Sequence, residues 1–390
     1  MNKGAYVFSQ IMGLISHKKF QTIVNQHYGD YKVKDFTCWK QYLCMAFGQM
    51  THRESLSDTM LCLKANAGKL YHLGIGNPVS VSTISRANET RSYKIYETLA
   101  VQLIREAKDL YIDEKEKDVW LHGNVFAIDA TTIDLSVTAF LWATFRTTKS
   151  GIKLHTQLDL STAIPEFILV TPASVHDVNI LDMIRFEANS FYIMDRGYID
   201  YKRLFKIHES GAYFVTRAKD NMSYRRVYSH EKESGSGVIY DQSVKLNNHY
   251  ASQDYPLKIR RIKNKDADSG KTLVFLTNNF QIKATDIAQL YRNRWKIELF
   301  FKWIKQHLRI KAFYGTSESA VKTQIWIAVS VYVLVAIVRK RLAIKSSLYS
   351  FLQILSLTLF EKMPILRAFE DIESQDLAAE SPKQLILFDF

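Results

Sequence analysis

The sequence predicts an α/β protein whose core is interrupted by a β-rich insertion and preceded by a mainly helical N-terminal region. Residues 125–128 and 191–194 are short apolar runs typical of buried strands. Between residues 220 and 282, clusters of Gly, Ser and Asn separate short alternating segments, a pattern typical of strands joined by turns. The first 120 residues show helical periodicity instead. At 390 residues, with 47% hydrophobic content, the chain is long enough for two or three domains with cores of their own.

The elements after residue 120 follow a simple order. A first strand ends at Asp129, and segments 151–160 and 166–174 form a hairpin-like pair of strands. The remaining predictions are a helix at 179–188, a strand at 191–194, a helix at 198–210, a strand at 212–218, the insertion, and a long helix that contains Glu298.

Positive charge is concentrated in one part of the chain. Residues 196–311 carry 24 basic and 11 acidic residues, an excess equal to the net charge of +13 for the whole chain. A generally basic surface would spread this charge more evenly. A polyanion bound along the segment would release counterions, so nucleic acid is the favoured partner.

Two further features bear on the compartment. The cysteines Cys38, Cys44 and Cys62 are odd in number and lack CxxC spacing, so buried thiols in a reducing cytosol are expected. Residues 325–338 form the longest apolar run, which covers about 21 Å as a helix, less than the roughly 30 Å of a bilayer core. A buried core helix is predicted there in preference to a membrane span.

A polar stripe is predicted on the helix that contains Glu298. At about 100° per residue, Tyr291, Arg294, Glu298 and Lys305 project within an arc of roughly 60°. The full stripe contains Tyr291, Arg294, Glu298, Lys302, Lys305 and Arg309. A carboxylate between cations suits the chemistry of a metal-bound phosphate. The alternative is a set of ordinary i,i+4 ion pairs on a solvated helix.

Two more carboxylates favour the metal-site interpretation. Asp129 and Asp195 each follow an apolar strand directly. Asp134 and Asp200 lie five residues further on, and an odd separation along a continuing strand would place them on the opposite face. Asp129 and Asp195 are therefore the preferred candidates, although a turn or cap role is the common one for a single Asp at a strand end.

These residues carry a resemblance to a known family. Asp129, Asp195 and Glu298, with Tyr291, Arg294 and Lys305 at Tyr-x2-Arg-x3-Glu-x6-Lys spacing, resemble the DDE transposases of bacterial insertion sequences, in particular insertion sequence family four. Segments of the N-terminal region resemble the same group, so the likeness extends from about residue 8 to about residue 340.

The resemblance implies an RNase H-like core that binds two Mg²⁺ ions, for which Mn²⁺ can substitute, through Asp129, Asp195 and Glu298 as catalytic residues. It implies cleavage and strand transfer at the terminal inverted repeats of an insertion sequence and into target DNA, by a cytoplasmic, nucleoid-associated homodimer. The implied DNA-binding residues are Tyr291, Arg294, Lys302, Lys305 and Arg309. A nuclease that cuts without joining, or a catalytically silent DNA-binding descendant, are the alternatives.

The hairpin route of cleavage in this group is thought to use an insertion tryptophan that stacks a flipped base. Here the only tryptophan between Asp195 and Glu298 is Trp295, on the helix itself. The tyrosines available for stacking instead are Tyr224, Tyr228, Tyr240, Tyr250 and Tyr255. The sequence therefore departs from this group at the residue on which the hairpin route depends.

Five regions are predicted along the chain: a helical, DNA-end-binding region at 1–120; the first part of the core at 121–219; the β-rich insertion at 220–282; the completion of the core at 283–342; and helices with an acidic tail at 343–390. Residues 78–86, followed by a helix through Ile104, fit either a helix-turn-helix or plain helix packing. His176 and Asp177 are expected to cap the helix that begins near Asn179 rather than to bind metal.

Overall fold

The computed structural model describes residues 4–111, 123–232, 235–266, 270–307 and 313–369. The chain divides into two compact units, Met1–Tyr111 with Trp303–Phe390, and Ile112–Lys302. The helices are α1 (Val7–Met12), α2 (His17–Gln26), α3 (Cys38–Met50), α4 (Leu56–Ala65), α5 (Ala67–Leu70), α6 (Val81–Thr90), α7 (Lys94–Tyr111), α8 (Tyr201–Glu209), α9 (His249–Asp254), α10 (Ala284–Asn293), α11 (Trp295–His307), α12 (Glu318–Arg341) and α13 (Leu348–Thr358). The strands are β1 (Val125–Leu135), β2 (Thr144–Arg146), β3 (Lys149–Asp159), β4 (Pro165–Pro172), β5 (Phe191–Met194), β6 (Tyr213–Arg217), β7 (Tyr224–Ser229), β8 (Val238–Leu246), β9 (Ile259–Lys265) and β10 (Thr272–Thr277).

The first unit is helical and is built around α12. This helix packs against α7 and α3. Its length and mean hydropathy of 1.9 would suffice to cross a membrane, yet 94% of its most apolar stretch is buried inside the protein. The polar exception in the run, Ser330, is buried and lies 3.2 Å from the Tyr42 hydroxyl. The prediction of a buried core helix at 325–338 is therefore confirmed.

The predicted continuous helix from residue 86 to Ile104 is wrong. The Ser80 side chain caps α6 by accepting a hydrogen bond from the Thr83 amide, and α6 stops at Thr90 because Arg91 adopts an extended backbone. The Arg91 side chain explains the break, since it donates to the buried Gln41 side chain and to the Phe36 carbonyl. A new helix, α7, then begins at Lys94.

The second unit contains one ten-stranded sheet. Its order is β2-β3-β1-β5-β6-β10-β9-β8-β7, and β4 also pairs with β3. β1 pairs antiparallel with β3 and parallel with β5, and β5 pairs parallel with β6. Apolar residues of β1, β5 and β6 form the core on one face with α8. This unit shows the mixed α/β class and the large central sheet that the sequence predicts.

β1 does not end at Asp129, as the sequence suggested. It continues for six residues, because β3 is long enough to pair with it as far as Leu135. Asp134 is thus on the same strand as Asp129, five residues on and exposed. Alternation along the strand places their side chains on opposite faces.

Two predicted helices differ from the structure. Residues 179–188 do not form an α-helix. A short 3-10 turn at Asp177–Asp182 is found there instead. The long helix with Glu298 is divided into α10 and α11 at Arg294, where the amide of Arg294 bonds to the Tyr291 carbonyl and the amide of Ile297 to the Arg294 carbonyl. These i to i+3 bonds tighten the turn at this point.

The strands of the predicted insertion extend the core sheet. β10 pairs antiparallel with β6 and with β9, so β7 to β10 continue the sheet outward from the core strands. The buried pair Asp241–Arg260 joins β8 to β9, and Arg260 also donates to the Ile282 carbonyl at 2.6 Å, just before α10. The insertion thereby holds the start of the helix pair that carries Arg294 and Glu298.

Candidate active site

Asp129 and Asp195 follow a matched pair of residues on the neighbouring parallel strands β1 and β5. The parallel pairing of β1 and β5 matches Ile128 with Met194; Asp129 is the next residue of β1, and Asp195 directly follows the last residue of β5. Neighbouring strands lie about 4.8 Å apart, so matched residues present their side chains close together. The two apolar runs thus bring two carboxylates to one end of β5.

The backbone after Asp195 donates a hydrogen bond to the Asp195 carboxylate. Asp195 Oδ1 accepts a hydrogen bond from the Gly197 amide, and the Thr216 hydroxyl of β6 donates to the Asp195 carbonyl at 2.9 Å. A Cβ atom at position 197 would lie 2.8 Å from Asp195 Oδ1. A side chain at this position would therefore require the Asp195 carboxylate to shift.

Arg294 connects Glu298 to Asp129. One terminal nitrogen of the guanidinium, Nη1, lies 2.8 Å from Asp129 Oδ2, and the other, Nη2, lies 2.5 Å from Glu298 Oε1. The side chains are only partly accessible, with 18% of Arg294, 20% of Asp129 and 38% of Glu298 exposed. The structure therefore brings one helical and one strand carboxylate to a shared cation.

Burial raises the pKa of the Asp129 carboxyl to about 6. The hydrogen bond from the Ala130 amide and the charge of Arg294 lower this pKa, while the negative charges of Asp195 and Glu298 raise it. All three predicted carboxylates therefore lie within electrostatic reach of one another. The crowded negative charge favours a bound cation or proton at this place.

The remaining residues of the predicted stripe have different environments. Tyr291 is buried against Phe275 of β10, with ring centroids 5.0 Å apart, and burial raises the pKa of its hydroxyl. Lys302 is exposed, and Lys305 is half-buried in the part of α11 that belongs to the helical unit. Arg309 lies outside the described residues.

The donor set suits a hard divalent cation, because carboxylate oxygens are the ligands that Mg²⁺ and Mn²⁺ prefer. Among the residues that the structure describes, no three His, Cys, Asp or Glu side chains converge closely enough to hold one metal ion. The position between Asp129 and Glu298 is held by the Arg294 guanidinium instead. The carboxylate ligands suit a divalent metal ion, whereas the spacing between Asp129 and Glu298 in this structure accommodates the guanidinium of Arg294.

Sequence reasoning missed Tyr198, three residues after Asp195. Its side chain is 2% exposed and its hydroxyl has no hydrogen-bond partner. Burial raises its pKa well above the usual range, and the charges of Asp129, Asp177 and Asp195 add to the effect. The signal available in the sequence was its position in Asp-Arg-Gly-Tyr, directly after the second strand.

The predicted capping role of His176 and Asp177 is wrong. His176 precedes the 3-10 turn without a side-chain cap bond. The Asp177 carboxylate instead lies 2.9 Å from Lys153 Nζ on β3, and 3.9 Å from the ring of the buried His155. No α-helix begins near Asn179 for the pair to cap, since these residues form the 3-10 turn.

The tyrosines of the insertion are not equivalent. Tyr255 is buried in the core and is not accessible to a base. The Arg261 guanidinium lies over the rings of Tyr224 and Tyr240, with its Cζ atom 4.4 and 4.7 Å from the respective ring centroids. Tyr228 and Tyr250 are exposed.

Comparison with known families decides the identity. A family model described as a transposase DDE domain matches residues 120–334, more than half of the chain. The chain belongs to the DDE transposases. A second model, described as a domain of unknown function (DUF4372), matches residues 3–76.

Individual proteins agree with the family. A protein of Sinorhizobium fredii named as a transposase, y4zB, is 36% identical over 61% of this chain and 67% of its own length. A Synechocystis protein named as a transposase of insertion sequence element IS4SA is 24% identical over 66% of this chain and 72% of its own. A solved structure of the piggyBac transposase synaptic complex with hairpin DNA matches with a TM-score of 0.44 and 11% identity, covering 88% of this chain and 75% of that one.

The predicted family is thereby confirmed: the chain is a bacterial insertion-sequence transposase, consistent with family four. Its activity is the cleavage and strand transfer of DNA, and the family uses divalent metal ions. The matched region includes Asp129, Asp195 and Glu298.

Proposed function

We propose that this transposase binds the terminal inverted repeats of its insertion sequence and cuts and joins DNA at a site formed by Asp129, Asp195 and Glu298. The observation that carries the proposal is that Asp129 and Asp195 each follow the matched pair Ile128–Met194 of parallel strands, with Glu298 linked to Asp129 through Arg294. Three carboxylates of one small region repel one another unless cations neutralise them.

The arrangement of strands supports an RNase H-like core. Strands β4, β3 and β1 are antiparallel neighbours, and β5 and β6 continue parallel to β1. Asp129 lies on the first and central strand, and Asp195 follows its parallel neighbour. Glu298 lies on α11, which follows the insertion in the sequence.

We assign Mg²⁺, with Mn²⁺ as a substitute, to the three carboxylates. When bound, the metal would activate the attacking oxygen and stabilise the leaving oxygen of a phosphodiester displacement. Asp129 and Asp195 are suited to hold it because the sheet fixes the backbone of Asp129 and of Met194, which directly precedes Asp195. Gly197 and Thr216 fix the position of Asp195 by hydrogen bonds.

The DNA contacts are assigned to Tyr291, Arg294, Lys302, Lys305 and Arg309 and to the basic surface of residues 196–311. A guanidinium binds phosphate as a bidentate fork and an ammonium as a point charge. We assign recognition of the transposon end to region 1–120. In the complex of paired ends, the transposase is assigned as a cytoplasmic homodimer.

The test is incubation of the purified protein with its flanking inverted repeats and Mg²⁺, with products resolved on denaturing and native gels. Cleaved and joined strands support the proposal. Cleavage without joining would indicate a nuclease, and binding without cleavage a silent descendant.

The contribution of the insertion to DNA binding is a separate prediction. Arg225 and Arg226 are exposed on β7, the last strand of the sheet. Replacing both by Ala should lower the slope of log affinity against log salt concentration by about 0.9 for each phosphate of duplex DNA that the protein no longer neutralises. Fluorescence anisotropy at several salt concentrations measures this slope.

The matched control is the double replacement of Lys18 and Lys19, two adjacent exposed cations on α2. An equal fall in the slope for both double variants would show that the concentration of charge in residues 196–311 has no special role.

A further inference from the structure

Arg294 already engages the carboxylates to which the metal is assigned. Its two terminal nitrogens contact Asp129 Oδ2 and Glu298 Oε1, and the Nε atom is buried without a hydrogen-bond partner. The other oxygen of Asp129, Oδ1, accepts from the Ala130 amide at 2.9 Å. Both oxygens of Asp129 are therefore occupied by donors from the protein.

We propose that Arg294 is an internal counter-ion that keeps divalent metal from Asp129 and Glu298 until a DNA phosphate draws the guanidinium away. The inference rests on the proposed role of these carboxylates and adds an order of events to it. A cation that neutralises two carboxylates must leave before another cation can bind the same oxygens.

Phosphate is the ligand best suited to remove the guanidinium. Its oxygens accept the same fork of two N–H groups that a carboxylate accepts, and DNA supplies them. Arg294 lies at the tightened turn between α10 and α11, and its side chain joins separate elements, β1 and α11. Release of the guanidinium from the carboxylates therefore breaks no hydrogen bond within the sheet.

The consequence is a coupling between DNA and metal. Free protein should bind metal weakly, and protein with bound DNA should bind it more tightly. Because coupling between two ligands is reciprocal, metal should also tighten DNA binding. This order would restrict metal loading, and therefore cleavage, to protein that has found DNA.

The test uses Mn²⁺ as the probe, with unbound ion counted by electron paramagnetic resonance in the absence of DNA. Arg294→Gln should bind Mn²⁺ about tenfold or more tightly than the wild type. Arg292→Gln is the matched control, because Arg292 pairs with Asp266 at 2.8 Å, away from the carboxylates, and is two residues earlier. Equal Mn²⁺ affinity in the wild type and Arg294→Gln would overturn the proposal.

A second variant distinguishes an effect of the ion pair on Mn²⁺ affinity from an effect of misfolding. Arg294→Lys keeps the charge, but a single ammonium cannot reproduce the two-sided fork, so an intermediate gain in Mn²⁺ affinity is expected. An affinity no higher than that of the wild type in this variant would also contradict the proposal. Circular dichroism with and without Mn²⁺ establishes that each variant is folded.

Adding Asp129→Asn separates this inference from the proposed function. If it removes the Mn²⁺ that Arg294→Gln has gained, the proposal is supported. If the wild type without DNA binds Mn²⁺ as tightly as Arg294→Gln, and Asp129→Asn abolishes this binding, the carboxylate site stands and the counter-ion role fails. If neither the variants nor the DNA complex binds Mn²⁺ through Asp129, the metal site itself is wrong.

Discussion

Replacing Asp129 by Asn, Asp195 by Asn or Glu298 by Gln should abolish both nicking and joining of transposon ends while leaving DNA binding largely intact. Each change removes one charged oxygen ligand with little change of shape. We expect a loss of at least about a hundredfold in the cleavage rate, the size of effect that follows removal of one electrostatic catalytic group. Gel assays with Mg²⁺ measure cleavage, and anisotropy measures binding.

The control for Asp129 is on the same strand. Asp134→Asn changes an exposed carboxylate five residues further along β1, on the opposite face, and should keep wild-type activity. Substantial Mg²⁺-dependent cleavage by any of the three carboxylate variants would remove that residue from the site.

Stability provides a check that the Asp129 variant is folded. Because burial raises the pKa of Asp129 to about 6, the folded state binds this proton more tightly than the unfolded chain. The stabilising contribution of the protonated form is present at low pH and is lost as the pH rises through about 6. Asp129→Asn should therefore be no less stable than metal-free wild type at pH 8.

Asp241→Asn should destabilise the sheet unit by about 3–5 kcal/mol. Asp241 accepts two hydrogen bonds from Arg260, at 3.0 and 2.7 Å, and both side chains are almost fully buried. An asparagine keeps the shape but leaves the guanidinium charge buried without a counter-charge. Urea unfolding, followed by signals from the sheet unit, measures the change in the free energy of unfolding.

Asp266→Asn is the matched control for this prediction. Asp266 also pairs with an arginine, Arg292, at 2.8 Å, but about half of the Arg292 side chain is exposed. Pairs open to solvent contribute about 0–1 kcal/mol, so the control should change little. A loss below about 1 kcal/mol for Asp241→Asn would show that the buried pair does not hold β8, β9 and the start of α10 together.

Several parts of the site follow from local pattern. Apolar runs before Asp129 and Asp195 predict buried strands, and parity along β1 separates Asp129 from Asp134. Helical spacing placed Arg294 four residues before Glu298, and their ion pair is present. These inferences succeed because strand alternation and helical rotation are properties of neighbouring residues. That the three carboxylates are catalytic stays a prediction.

Other features are decided by contacts between residues distant in sequence. The predicted end of β1 at Asp129 is wrong because β3 extends the pairing. Asp177 pairs with Lys153, 24 positions earlier, instead of capping a helix. The strands of the insertion join the core sheet through β10 and β6, which lie about 60 residues apart in sequence.

The sequence by itself determined the family, the mixed α/β class, the buried core helix at 325–338 and the ion pair of Arg294 with Glu298, because each depends on motifs, composition or local periodicity. Only the tertiary structure decided that Arg294 also binds Asp129, 165 residues away. Spacing along one helix cannot specify a partner on a distant strand, since that contact depends on how α10 and α11 pack against the sheet. The competition proposed between guanidinium and metal arises from that packing.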